Sequence, residues 1–178
     1  MMIFRGRQPQ VTVWRRFRSG VDGFTFEQIP DGVFEAHIAT NAERAVDLLY
    51  VLSEHLPPAV DFAVADRRNG TSWVGSDVAL PDVRDALARL KIPLAAYGGV
   101  DLSVYTADDQ LSLTAALDLY AFGRSDRWLY LLQSKGLEQY GAVAGKPWRG
   151  QPWDRAPAPA LTTAIAAAAE RLGLSAAP

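Results

Sequence analysis

From Tyr97 to Lys135 the chain reads YGGVDLSVYTADDQLSLTAALDLYAFGRSDRWLYLLQSK, three alternating apolar runs separated by two polar turns. Alternation puts successive side chains on opposite faces, so this stretch predicts a three-stranded antiparallel meander. Taking Asp108-Asp109 as a two-residue loop sets Val104 opposite Leu113 and Val100 opposite Leu117. A four-residue loop at Gly123–Asp126 sets Leu117 and Leu119 opposite Leu132 and Tyr130, with Trp128 on the same face. On this register the last strand, Trp128–Leu132, is apolar on both sides. Its second face then needs a cover: a helix, a partner or the C-terminal segment.

Upstream the pattern is equally local. Val11–Arg18 reads as a strand running into charge, and FTFEQI and VFEAHI follow as two more strands about the turn Pro30-Asp31-Gly32. Phe34, Ala36 and Ile38 share one face of the third strand; Glu35 and His37 share the other. Thr40-Asn41-Ala42-Glu43 fits a capping box, and apolar residues from Ala45 to Leu56 recur at helical spacing before Pro57-Pro58. A hairpin about Asn69-Gly70 follows. A second helix starts at Pro81 and is expected to end at Pro93. Val60–Val64 and Val100–Val104 lie forty residues apart, each after a helix and each opening a hairpin; a duplicated helix–strand–strand unit would explain this, and two unrelated strands that both need alternation explain it more simply. Residues 141–159 repeat Pro-Trp around Trp148 and Trp153 and read as an extended loop, expected first as a cover for the second face of the meander and alternatively as aromatic anchors for a partner. A last helix spans about 159–172, with Gly173 as its cap.

These elements define one α+β domain over residues 1–178. It is a mainly antiparallel sheet of about seven or eight strands, ordered βββ-α-ββ-α-βββ-α, with two or three helices packed on it. A hydrophobic fraction of 49% in 178 residues is enough for one real core and short for two. Net charge is −2, so no global field recruits nucleic acid or an anionic membrane. Cysteine is absent, which excludes disulfides, thiolate catalysis and cysteine-ligated metals, and fits a cytoplasmic location. No secretory signal or membrane span is expected. Abundant alanine, with arginine far outnumbering lysine, is the usage of a GC-rich bacterial gene.

Candidate chemistry is sparse. Asp61, Asp101 and Asp118 lie in alternating strands and could converge on the non-core face, with His37 as an acid–base partner; such groups could serve a small hydrolase or lyase. The plainer alternative is that each is an outward strand residue. Asp108 and Asp109 read as turn formers, and His55 as a complement to a helix C-terminus. Two isolated histidines make no metal site, Gly98-Gly99 makes no phosphate loop, and Ser53, Ser103 and Ser125 have no nucleophile elbow around them. Neither metal nor cofactor is therefore expected. Arginines 5, 7, 15, 16 and 18, interleaved with Phe4, Trp14 and Phe17, have the composition of a single-stranded nucleic-acid platform, but the rest of the chain is acidic and an edge strand guarded by charge is the favoured reading, so nucleic acid is not the expected partner. With every enzymatic inventory empty, the favoured expectation is a non-catalytic interaction protein, its partner another protein or a second copy. Tyr105, Tyr120, Trp128, Tyr130, Trp148 and Trp153 are its candidate contacts.

Overall fold

The computed structural model describes residues 23–141 and 157–177. The expected first strand at 11–18 and the Pro-Trp repeat, with Trp148 and Trp153, lie outside the described residues.

The local signals produce their elements. β1 (Gly23–Gln28) and β2 (Phe34–Ala39) flank the turn Pro30–Gly32, where Asp31 and Gly32 both take positive φ. Helix α1 (Ala42–Leu52) follows, extended by a 3-10 turn at Ser53–His55. Its cap is Asn41, one residue later than expected: the Asn41 side chain accepts the Arg44 N–H at 2.8 Å, while the Thr40 hydroxyl is buried without a partner. β3 (Ala59–Asp66) and β4 (Thr71–Ala79) form the hairpin closed by Asn69-Gly70.

Helix α2 (Leu80–Tyr97) runs through Pro93 instead of ending there. Proline inside a helix forfeits one hydrogen bond and costs about 3 kcal/mol. Here Leu94 and Ala95 are buried beyond it, and the Gly98 N–H closes the end on the Leu94 carbonyl. Apolar burial on both sides of the proline thus holds the last turn in place. Gly99, at φ +71°, brings the backbone against Arg68, which donates to the carbonyls of Tyr97 and Gly98 at the helix C-terminus. A Cβ at position 99 would stand 2.6 Å from the Arg68 guanidinium.

The meander exists, with different members and register. β5 (Val100–Tyr105), β6 (Asp109–Leu113) and β7 (Leu119–Gly123) are its strands. Leu102 faces Leu113 and Val104 faces Leu111, two residues from the expected pairing, because the turn is centred on Ala107-Asp108, one residue earlier than expected, with the Thr106 N–H donating to the Asp109 carbonyl at 2.8 Å. A shift of two preserves which face each side chain occupies. The long second run breaks at Thr114–Asp118, a turn in which the buried Leu117 takes φ +62°. The expected third strand is instead helix α3 (Arg127–Ser134). Trp128 and Leu132, one helical turn apart, are both 0% exposed, while Tyr130 between them is 60% exposed. Short edge strands β8 (Glu138–Gln139) and β9 (Ser175–Ala176) bracket helix α4 (Pro159–Arg171).

The result is an α+β fold with a nine-stranded sheet ordered β8-β1-β2-β7-β6-β5-β3-β4-β9 among the described residues; only β8 with β1 is parallel. The two segments of similar pattern become neighbours, since β3 and β5 pair antiparallel with Ala63 opposite Ser103. All four helices among the described residues contribute buried residues to a single core with the inward side chains of the strands, Phe24, Ile38, Phe62, Leu102 and Leu111 among them. The opposite face of the sheet takes the alternate residues.

Candidate functional site

Register places those alternate residues in two rows. One runs Thr25, His37, Tyr120, Ser112, Ser103, Ala63 and Val74. The next runs Glu27, Glu35, Phe122, Gln110, Tyr105 and Asp61. His37 stacks on Tyr120 with ring centroids 4.4 Å apart and planes 3° apart, and Tyr120 continues to Phe122 at 6.1 Å. Cross-strand pairing produces the first contact; the second joins residues i and i+2 of one strand. Beside this aromatic ladder, Ser103 and Ser112 share a hydrogen bond at 2.8 Å, and the Gln110 amide donates to Ser112 at 2.7 Å. The face is therefore aromatic toward β2 and β7 and hydroxyl-rich toward β6 and β5.

Among the described residues, the charged side chains at outward strand positions are acidic. Glu27, Glu35, Asp61 and Asp101 occupy outward strand positions, and Asp118 sits in the turn before β7. No lysine or arginine occupies an outward position in the two rows. Asp101 is offset by Arg67, which donates to it from the β3–β4 turn, and it also accepts the Ala115 N–H at 2.8 Å.

The three candidate carboxylates do not converge. Asp61 lies four residues along β3 from the position opposite Asp101, about 13 Å at roughly 3.3 Å per residue. Two strand spacings, about 10 Å, separate Asp101 from Asp118. Asp61 accepts the Asp77 N–H at 3.0 Å in the irregular part of β4, a local structural task. Only His37 and Asp118 come together, Nε2 to Oδ1 at 3.7 Å, beyond hydrogen-bond length. Among the described residues no group of three His, Cys, Asp or Glu is placed to hold a metal ion, and no helix is long and apolar enough to cross a membrane.

Of the expected contact residues, Tyr105 and Tyr120 are half-buried on this face and Tyr130 is exposed on α3. Trp128 is wholly interior and is no surface residue: its indole donates to the Phe122 carbonyl and to Asp109, both at 3.0 Å. Phe122 and Glu35 gain their place from the β2–β7 pairing, which joins segments more than eighty residues apart. Alternation alone put Glu35 beside His37; nothing local joined them to Tyr120.

Burial, and then the Asp118 and Glu35 carboxylates, push the Tyr120 phenol above its ordinary value of 10.0. Because the folded value is raised, the associated stability is fully present below about pH 10 and is lost as pH rises through the folded value. In a tyrosinate absorbance titration the wild type should show one component ionising later than an ordinary tyrosine, and Tyr120→Phe should lack it. Removal of an ordinary component by that substitution would contradict the environment described for the ladder.

A separate shallow groove of about 550 Å³ lies between α1 and α2, lined by Tyr50, Glu54 and Arg84 among others. Arg84 donates to the Tyr50 carbonyl and Ser53 Oγ and stacks 4.5 Å over the Tyr50 ring. His55 Nε2, 3.4 Å from Glu54, and Lys135 Nζ, 3.8 Å from it, share that carboxylate with Arg84. These groups fasten the helices to one another. Comparison of the chain with protein-family models, curated proteins and solved structures finds no match.

Proposed function

We propose that this protein is a non-catalytic interaction module that uses the outer face of its sheet to bind a polypeptide carrying basic residues among aromatic ones. One observation carries the reading: the helices gather on one side, and the other side joins a stacked His37–Tyr120–Phe122 ladder to carboxylates of uniform sign. Aromatic rings supply contact area and stack with guanidinium groups, while the carboxylates select for positive charge. Self-association through residues 128–132 loses its basis because Trp128 is interior. Two copies meeting through the acidic face would oppose like charges. A different protein is accordingly the favoured partner, and the cysteine-free composition supports a cytosolic setting.

A hydrolase or lyase would need acid and base groups within reach of one substrate atom. Here the carboxylates are dispersed, and Asp61 and Asp101 already accept structural hydrogen bonds. The test is binding of arrayed basic-aromatic peptides, with acidic-aromatic and basic-aliphatic peptides as controls, read by fluorescence polarisation. Basic-aromatic peptides should bind, more weakly as salt rises, and Glu35→Lys with Asp61→Lys should weaken them at least about tenfold. Equal binding of acidic peptides, or indifference to both substitutions, would defeat the proposal.

A further inference from the structure

The Asn69-Gly70 turn carries chemistry that the outer face of the sheet does not use. Where glycine follows asparagine, its backbone nitrogen can attack the asparagine carboxamide, and the missing Cβ leaves the approach unhindered. The chain holds two asparagines, Asn41 and Asn69, and only the second precedes glycine. Asn69 and Gly70 are both exposed, and the space that a Cβ on Gly70 would occupy is open. Asn41 is followed by Ala42 and is fixed as the cap of α1, where its side chain accepts the Arg44 N–H.

The Asn69 carboxamide is also a joint between elements. Its Nδ2 donates to Asp66 Oδ2 at 2.7 Å and to Thr162 Oγ1, in the first turn of α4, at 3.1 Å. Asp66 is 2% exposed, and its other oxygen accepts the Arg68 N–H at 2.9 Å. A carboxylate so buried depends on its donors, because water cannot replace them. We infer that Asn69 is a site of spontaneous, one-way covalent modification, which turns this joint into a repulsion and loosens the end of the β3–β4 hairpin. In the first step the bond from Gly70 N to Asn69 Cγ forms, the Cγ–Nδ2 bond breaks, and ammonia leaves with the proton from Gly70 N. Solvent water then opens the five-membered succinimide at either carbonyl and leaves aspartate or isoaspartate at position 69. Neither product keeps Nδ2, so Asp66 Oδ2 loses its donor and the amide's bond to Thr162 goes with it. A second carboxylate now stands beside the buried one, a like-charge pair in a site with little water to screen it. The inference does not depend on what the outer face binds.

The test ages the full-length protein in mildly alkaline buffer and maps it by mass spectrometry, with isoaspartate read by enzymatic methylation. The expected result is the mass gain of an amide exchanged for a carboxyl at residue 69, part of it as isoaspartate, with Asn41 unchanged over the same period. Asn69→Gln, whose longer side chain closes a ring far more slowly, should abolish the gain. Equal gain at both asparagines, or none at Asn69 while the urea-unfolded chain converts there, would overturn the assignment. The structural consequence is read on Asn69→Asp, which should melt about 5–10 °C below the wild type. Adding Asp66→Asn should restore most of that loss, because amide and carboxylate then exchange places across the same contact. An Asn69→Asp chain as stable as the wild type, or a loss that Asp66→Asn leaves unchanged, would overturn the loosening of the hairpin.

Discussion

Trp128→Ala should destabilise the protein by about 3–5 kcal/mol, because it empties a large volume in a core that can collapse only partly. Trp128 is 0% exposed and is the largest fully buried side chain among the described residues, packed from α3 against the end of β7. The site is built to admit it: at Gly123 a Cβ would stand 2.9 Å from the indole ring and 3.0 Å from the Asp109 carboxylate. Losing the indole also leaves the Phe122 carbonyl without that donor. Urea denaturation measures the change directly, and the melting temperature should fall by roughly 10 °C. Trp128→Phe keeps most of the volume but forfeits both hydrogen bonds and should cost about 1–2 kcal/mol. Tyr130→Ala, on the exposed side of the same helix, should stay within about 0.5 kcal/mol. A strand would put Trp128 and Tyr130 on the same face and give them similar penalties. Similar penalties would therefore overturn the helical assignment of this segment.

That contrast explains where sequence pattern succeeds and where it fails in this chain. The turn at Pro30–Gly32, the Asn69-Gly70 hairpin, the start of α2 at Leu80-Pro81 and the span of α4 depend on residues within a few positions of each other, and pattern finds them. Trp128–Leu132 is only five residues long, and WLYLL satisfies a period of two as readily as a helical one. What decides is tertiary: the indole needs acceptors, and Asp109 and the Phe122 carbonyl supply them from β6 and β7. The break at Thr114–Asp118 was hidden for a related reason. Its positive-φ residue is Leu117, an apolar side chain buried in the core, where a glycine or asparagine would have announced a turn. Pro93 misled in the opposite direction, since a propensity penalty of a few kcal/mol is outweighed by burial of the residues beyond it.

The candidate face was legible in halves. Alternation within β2 places His37 opposite the core, and alternation within β7 does the same for Tyr120. The ladder arises only because β2 and β7 pair, an encounter of distant segments that no local pattern encodes. The same pairing leaves Asp61 at the far side of the sheet from His37, which dissolves the imagined carboxylate cluster. The proposed function therefore rests on strand order more than on residue type. Acids that alternation could only suggest as catalytic become, once ordered, a charged rim around an aromatic strip.

Asp109→Ala should cost about 2–3 kcal/mol although Asp109 begins as an ordinary turn residue in the sequence. Its side chain is only 12% exposed and serves three groups. Oδ1 accepts Arg127 Nε at 3.1 Å and the Trp128 indole at 3.0 Å, while Oδ2 stands 2.9 Å from Arg127 Nη2. Alanine would leave a buried indole N–H with one acceptor fewer and a half-buried guanidinium beside no counter-charge. Breaking a fully buried pair costs about 3–5 kcal/mol; the 36% exposure of Arg127 lowers the figure here, since water relieves part of the isolated charge. Asp108→Ala is the matched control. Its carboxylate is 73% exposed, 3.7 Å from Arg124, and should matter by no more than about 0.5 kcal/mol. In urea denaturation at low and high salt, the Asp109 penalty should persist where a surface pair would fade. A double-mutant cycle with Arg127→Met should show that removing both partners costs less than the two single losses added together. Strict additivity in that cycle would mean that the carboxylate acts through the Trp128 indole alone, and that the Arg127 ion pair contributes nothing to seating α3 on the sheet.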